Sequence, residues 1–359
     1  MNNKHFEIGG SSIAPGGQKT IQIPLAAMVT HNDAEMTAHV IHGKRPGPCL
    51  FISAAIHGDE INGVEIIRRL LKLKQVQRLA GTLVAIPIVN VHGFITNSRY
   101  LPDGRDLNRS FPGSSKGSLA GRMANTFLKE IVSKCSHGID LHTGARHRDN
   151  LPQIRADLSN PEVKSLAQAF GVPVIVDSKI RDGSLREAGG DAGIPIILYE
   201  AGEALRFDEV AIRAGVRGIQ NVMRQLGMLS PGKAALKEKT NEKKRAPLVS
   251  SNTSWVRAPS SGILRTLVPL GAKAEKGSIL GMIADPLGNS EYKVIAAEEG
   301  IVIGRTNLPL VHEGDALFHL AYYKKQADAV LTQVESFQEK YDDESKIAAS
   351  DPDMDNPIL

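Results

Sequence analysis

Cys49-Leu50-Phe51-Ile52-Ser53-Ala54-Ala55-Ile56-His57-Gly58-Asp59-Glu60 passes from an apolar run directly into an imidazole and two carboxylates. A continuous apolar run of this length predicts a strand buried on both faces, as parallel sheets require. Just beyond it, Ile61, Val64, Ile67, Leu70 and Leu71 recur at i, i+3 and i+4, which is one face of a helix. Reading outward, further strands are predicted at Leu83 to Val89, Ile139 to His142, Val172 to Val176 and Ile194 to Tyr199, with helices near Leu119 to Val132 and Leu166 to Phe170. Strands alternating with helices predict an α/β fold, a mostly parallel or mixed sheet flanked by helices. Residues 1–48 are rich in turns and read as short strands ahead of this core.

The composition changes at Pro231. Lys233, Lys237, Lys239, Lys243, Lys244 and Arg245 stand against Glu238 and Glu242, with no aromatic residue, which reads as a solvated linker. After Pro247, short apolar segments alternate with Gly262, Gly271, Gly277, Gly281, Gly288, Gly300 and Gly314, the pattern of a small all-β module. The predicted organisation is a catalytic domain over 1–231, a basic linker over 232–246, a β module over 247–322, a helix over 323–341 and an acidic, disordered tail over 342–359.

Bulk properties narrow the class. The chain has 359 residues and is 42% hydrophobic, enough for two cores and against wholesale disorder. A net charge of +4 implies no dedicated nucleic-acid or membrane surface. Cys49 and Cys135 alone exclude a disulfide framework and most sulfur-ligated metal sites. Met1 to Gly10 lacks the apolar core of a secretory signal, and no apolar run is long enough to span a bilayer. A reducing, cytoplasmic setting is therefore expected, in which a metal site would use histidines and carboxylates.

His57 and Glu60 form the sole His-x-x-Glu pair of the chain. Alone the pair is weak evidence; a solvent-facing Glu beside a hydrogen-bonded His is the bland alternative. Its position at a strand end, where parallel sheets bind ligands, strengthens it. A catalytic zinc needs a third protein ligand and an open fourth position. His142, in Asp140-Leu141-His142-Thr143-Gly144 at the end of another buried strand, could supply it, or could be a core histidine. The loop after the second strand concentrates Arg99, Arg105 and Arg109 around Asp106 and Asn108. Arginine forks recognise carboxylates bidentately, although a self-paired solvated loop would look the same. Glu200, closing the strand Ile194 to Tyr199, is either a general base or a structural partner of an arginine. Strand ends at 57, 142 and 200 and the arginine loop would converge on one edge of one sheet.

In combination, His57-x-x-Glu60, Asp106-Leu107-Asn108-Arg109, Asp140-Leu141-His142 and Glu200-Ala201-Gly202 resemble the succinylglutamate desuccinylase/aspartoacylase family, within the wider zinc carboxypeptidase fold. The resemblance covers about residues 20–230 and, more loosely, the β module. It implies that His57, Glu60 and His142 bind one zinc, and that Asp106 fixes the orientation of His57. It implies that Asn108 and Arg109 hold the substrate's α-carboxylate and that Arg99 polarises the scissile carbonyl, although the Pro102-Asp103-Gly104 turn alters the spacing to Asn108. Glu200 would be the general base and then acid, with Glu203 as the other choice. The C-terminal module would resemble the lipoyl/biotinyl barrels. Its turn Asp285-Pro286-Leu287-Gly288-Asn289 has no lysine for covalent attachment, and Tyr292 is its one candidate to reach the substrate. Beyond the shared motifs, Arg146, His147, Arg148 and Arg155 follow the third ligand, and Arg155 in particular could contact a second anionic group or a polar acyl chain.

The expected activity is zinc-dependent removal of an acyl group from a small N-acyl amino acid. The rivals are a metallocarboxypeptidase acting on short peptides and a non-catalytic binding protein on the same fold. The 81 residues between Glu60 and His142 leave little room for a peptide cleft, and the intact ligand set with Glu200 weighs against a scaffold. Expected partners are small substrates, with no nucleic acid or membrane, and self-association stays open.

Overall fold

The apolar run at 49–56 lies in the middle of a large mixed sheet, where the computed structural model describes residues 3–27, 31, 33–231, 247–323 and 334–341. A small hairpin, β1 (Phe6–Ile8) and β2 (Ser11–Ile13), leads into β3 (Gln18–Ala27), β4 (Asp33–His42) and β5 (Arg45–Ala54). β6 (Ala80–Ile86), β7 (His137–Gly144), β8 (Arg148–Ala156), β9 (Val174–Asp177) and β10 (Ile196–Glu203) follow. β4 alternates buried and open positions, whereas every residue of β6 and β7 is buried. These are the patterns of a half-covered antiparallel strand and of strands covered on both faces.

The strands pair in the order β8-β10-β7-β5-β6-β4-β3. The centre is parallel: β5 pairs β6 and β7, and β7 pairs β10. The wings are antiparallel, with β4 beside β6 on one side and β8 beside β10 on the other. Helices α1 (Asn62–Leu71), α4 (Pro161–Phe170) and α6 (Glu209–Gln225) cover one face through Ile66, Ile67, Phe170, Ile212 and Ile219. α3 (Leu119–Glu130), the β1–β2 hairpin and α5 (Leu185–Asp191) cover the other through Phe51, Val84, Phe127 and Leu185. The short α2 (Val91–Ile95) sits beside the turn at 57–60 that carries His57 and Glu60. Gly58 lies so close to it that an added Cβ would stand 2.0 Å from the Gly93 carbonyl carbon.

The C-terminal segment differs from the expected closed barrel. Its strands are β11 (Leu248–Ser250), β12 (Thr253–Arg257), β13 (Gly262–Thr266), β14 (Lys273–Ala274), β15 (Ile279–Ala284), β16 (Glu291–Ile295), β17 (Gly300–Thr306), β18 (Leu310–Val311) and β19 (Ala316–Tyr322). Four of them form an open antiparallel sheet in the order β16-β15-β13-β18. β17, β19 and β12 instead extend the main sheet beyond β8. The reason is β8, whose first half pairs β17 and whose second half pairs β9. β11 adds to β9 in parallel. A helix is present over 334–341. The basic stretch 232–246, the acidic tail 342–359 and most of the expected helix before 334 lie outside the described residues. Among the described residues no helix is long and apolar enough to cross a membrane.

Candidate active site and metal centre

His57 and Glu60 stand in the turn between β5 and α1. Asn62, the first residue of α1, holds this turn against β10 by donating to the Ala201 carbonyl at 3.2 Å and accepting from the Asp208 amide at 3.0 Å. Ala55 enters the turn at a φ of 50°, a conformation that L-residues adopt at a cost. His142 is on β7 and pairs in register with Glu200 on β10, so both side chains leave the same face of the sheet.

The three predicted ligands meet. His57 Nδ1 lies 2.7 Å from Glu60 Oε1, and His142 Nδ1 lies 2.8 Å from Glu60 Oε2. All three side chains are buried, and their ligand atoms lie within 4.8 Å of one another. The far nitrogens are also engaged. His57 Nε2 is 3.2 Å from Asp106 Oδ1, and His142 Nε2 is 2.7 Å from Asp140 Oδ2. Asp140 is steadied by a 2.8 Å hydrogen bond from Ser53 Oγ. A carboxylate behind each imidazole is placed to take the Nε2–H, which leaves Nδ1 facing Glu60 as the atom to bind a metal. Contacts this short are bridged by a proton in the metal-free protein, and a metal ion would take its place. The donor set, two imidazoles and one carboxylate oxygen, fits a divalent ion such as zinc.

Electrostatics agree. Burial opposes charge on Glu60, but His57 and His142 hold its carboxyl far below the usual carboxylate range. Asp106 is likewise held low against burial by His57 and Arg99. Burial pulls His142 down, yet Asp140 and Glu60 outweigh it and raise the imidazole to about 10. Glu60, Asp106 and Asp140 outnumber the one arginine around the two histidines, an excess of negative charge that protons or a divalent ion offset.

The arginine loop adopts a defined shape. Arg99 donates to Glu60 at 3.1 Å and to Asp106 at 3.0 Å. Asp106 also accepts the Asn108 amide at 2.8 Å, and Asn108 Oδ1 accepts the Leu185 amide at 2.9 Å. Arg109 donates to the Asn108 carbonyl and has no carboxylate partner among the described residues.

A cleft of about 750 Å³ joins these groups. His57, Glu60, His142, Arg99, Asn108 and Arg109 line it, and so do Arg155 and Glu200. Glu200 accepts from Asn150 Nδ2 at 2.8 Å and is ion-paired with Arg155. Arg155 is thus committed to a carboxylate of this chain rather than free for substrate alone. Glu203, the other choice for the base, points elsewhere, accepting the His147 amide and Asn307 Nδ2, each at 2.9 Å.

Residues 46–226 match the family model described as the succinylglutamate desuccinylase/aspartoacylase catalytic domain. The chain belongs to this family. A relative from Halomonas elongata, N-alpha-acetyl-L-2,4-diaminobutyric acid deacetylase, is 24% identical over 311 residues, 84% of this chain and 90% of its own. The product-bound structure of the ectoine utilization protein EutE (DoeB) from Ruegeria pomeroyi superposes with a TM-score of 0.74 at 21% identity, covering 85% of this chain and 95% of that one. A succinylglutamate desuccinylase/aspartoacylase from Rhodobacter sphaeroides gives 0.71 at 23% identity, covering 85% and 96%. At these identities the structural likeness concerns the fold.

The resemblance assigns no role to four residues that the structure brings to the site. Asp140 backs His142, and its signal was in the sequence: two residues apart on one strand, the two share a face. Asn150 touches Glu200 from β8. Trp255 and His319 line the cleft from β12 and β19. Tyr292, the expected contribution of the C-terminal module, is instead half exposed on β16 of the outer sheet and does not line the cleft.

Proposed function

We propose that this chain is a zinc-dependent amidohydrolase that removes the acyl group from the amide nitrogen of a small N-acyl amino acid. The observation that carries this is the buried His57–Glu60–His142 cluster, each imidazole backed by its own aspartate, opening into the cleft that also holds Glu200. The names of relatives from the same family support it: one is a deacetylase of an N-acetylated amino acid.

When bound, zinc at this site supplies Lewis-acid activation of water and of the scissile carbonyl. The chain's own groups do the rest. Arg109 and Asn108 hold the substrate's α-carboxylate, which a guanidinium fork recognises in two parallel bonds. Glu200 accepts a proton from the attacking water, whose oxygen bonds to the acyl carbon. It returns the proton to the nitrogen as the C–N bond breaks, giving a carboxylate and a free amine. Asn150 and Arg155 keep Glu200 aimed at that position. Arg99, fixed between Glu60 and Asp106, places positive charge beside the oxygen that becomes negative.

In this proposal residues 1–231 carry the chemistry and 247–322 close the cleft. The free thiols of Cys49 and Cys135, with Sγ atoms 3.3 Å apart, suit a reducing cytoplasm. The test is a panel of N-acyl amino acids assayed for released amine, with and without a chelator. Chelator-sensitive release from such substrates supports the proposal. Release only from peptides with free C-termini identifies a carboxypeptidase and overturns it.

A further inference from the structure

The two cysteines of the chain meet at the end of the sheet away from the cleft. Cys49 lies on β5, and Cys135 closes the short helical turn Val132–Lys134 that leads into β7. β5 and β7 pair in parallel from Leu50 with His137 to Ala54 with Leu141, so the cysteines stand just outside the first rung. His57 follows the other end of β5, and His142 lies toward the other end of β7. The two Sγ atoms are 3.3 Å apart. A disulfide is about 2 Å long, so closing one asks the sulfurs to approach by about 1 Å. The backbone around them is already fixed. Ser136 donates its amide to the Cys49 carbonyl at 2.8 Å and its hydroxyl to the same oxygen at 2.9 Å, and its Oγ accepts the Cys49 amide at 3.1 Å. The Cys135 amide donates to the Val132 carbonyl at 3.0 Å. The remaining approach is left to side-chain rotation.

Exposure distinguishes the two thiols. Cys49 is half-buried, whereas Cys135 is 7% exposed and belongs to the apolar core that holds Ile131 and Val132. Burial pushes the Cys135 thiol up, so it stays protonated at neutral pH. An oxidant arriving from solvent therefore meets Cys49 first and finds Cys135 directly behind it. A solvent-accessible cysteine backed by a second one is the arrangement in which oxidation stops at a disulfide instead of running on to a sulfinic acid.

We propose that Cys49 and Cys135 are a peroxide-sensitive pair that closes a reversible disulfide between β5 and β7, whatever the substrate of the cleft. The Cys49 sulfur attacks one oxygen of hydrogen peroxide. The O–O bond breaks, Cys49 becomes a sulfenic acid, and its thiol proton leaves with the second oxygen as water. The Cys135 sulfur then attacks the Cys49 sulfur. The S–S bond forms, the S–O bond breaks, and the departing hydroxide takes the Cys135 proton as a second water. The two thiols together give up two electrons and two protons, and one peroxide becomes two waters. An external thiol or phosphine reductant reverses the bond. The bridge joins residues 86 positions apart, a span that contains His57, Glu60 and the arginine loop. A crosslink over so long a span stabilises mainly by constraining the unfolded chain. At the far ends of β5 and β7 it does so without reaching the cleft.

The test uses the full-length protein as purified. It is treated with a small excess of hydrogen peroxide, denatured in N-ethylmaleimide and digested for peptide mass analysis. The expected product is one pair of peptides joined through Cys49 and Cys135, two hydrogens lighter than the reduced peptides, which a phosphine reductant returns to two alkylated thiols. The intact oxidised protein should melt about 5–15 °C above the reduced protein. In Cys135→Ala protein, dimedone should trap the sulfenic acid at Cys49, and no phosphine-reversible bridge should form. In Cys49→Ala protein, Cys135 should stay alkylatable after the same treatment. The first measurement is made on wild-type protein, so it stands even where a variant fails to fold. Wild-type protein that ends with a sulfinic Cys49 and a free Cys135, or with a disulfide between two chains, overturns the pair. So does oxidation of Cys135 at the wild-type rate in Cys49→Ala. A bridged protein that melts no higher than the reduced form overturns the stabilising role.

Discussion

Asn150 donates a 2.8 Å hydrogen bond from β8 to Glu200 on β10, while Arg155, five residues further along β8, pairs with the other oxygen of the same carboxylate. Glu200 is therefore held at both oxygens by one neighbouring strand. Glu200→Gln keeps the shape of the side chain but cannot take a proton. The expected kcat loss is about 10²–10⁴-fold, the usual worth of a general base, with metal content unchanged. Arg109→Ala should act chiefly on KM, because a substrate carboxylate is bound in both ground and transition states. Steady-state kinetics on the two variants check the contrast. If Glu200→Gln keeps more than about a tenth of wild-type kcat, Glu200 is not the base.

Gly304 on β17 gives Asn150 its room. The two residues are cross-strand partners, and a Cβ at 304 would come 2.6 Å from Asn150 Oδ1. Gly304→Ala should push the Asn150 side chain aside and loosen Glu200. The predicted result is a lower kcat, of order tenfold, with KM and bound metal near wild type, because small misplacement of a catalytic group is expensive in rate. A variant with unchanged kcat would show that the Asn150 contact does not matter for turnover.

The metal centre predicts one zinc per chain in wild-type protein and none retained after dialysis of His142→Ala. The cores on the two sides of the sheet are built from apolar residues and include none of His57, Glu60 and His142, so the variant should keep its circular dichroism spectrum. Metal analysis decides: a full equivalent of zinc in His142→Ala rules out the ligand set.

Metal uptake should release protons. In the metal-free protein His142 is raised from its ordinary 6.5 to about 10, chiefly by Asp140 and Glu60 working against burial. The sign follows from that direction. Its proton stabilises the metal-free fold fully below pH 6.5, and this contribution is lost as the pH climbs through about 10. A metal must displace that proton, so apparent affinity should rise with pH across this window. Calorimetry in buffers of different ionisation enthalpy measures the release. Affinity independent of pH between 6.5 and 9 would show that His142 is already neutral.

The parallel centre and the meeting of His57, Glu60 and His142 were legible in the sequence because these residues stand at or just beyond strand ends. The sequence hid what lies beside them. β8 reads as a basic loop: its outer end carries Arg148 and Asp149, and Pro152 interrupts the apolar run. Without β8 there is no strand for the C-terminal segment to join, so its short strands and glycine turns read as a module of their own. α6 was missed for a related reason. Gly215 and Gly218 dilute its helical pattern, yet both are required, since a Cβ would stand 2.5 Å from Ile66 and 2.1 Å from Phe170. Trp255 and His319 carry no local signal at all. They reach the cleft only because β17, β19 and β12 line up with β8, and the pair that joins them, Gly304 with Asn150, is 154 positions apart in the chain.

That same line of strands sets an order of events for a growing polypeptide. Until β17 emerges, the outer edge of β8 at Arg148–Asn150 has no partner, and until β11 emerges neither does the free side of β9. Open strand edges are templates for pairing with other chains. The first 231 residues therefore leave the ribosome with an adhesive border. It is sealed only when β17, ending at Thr306, has been made.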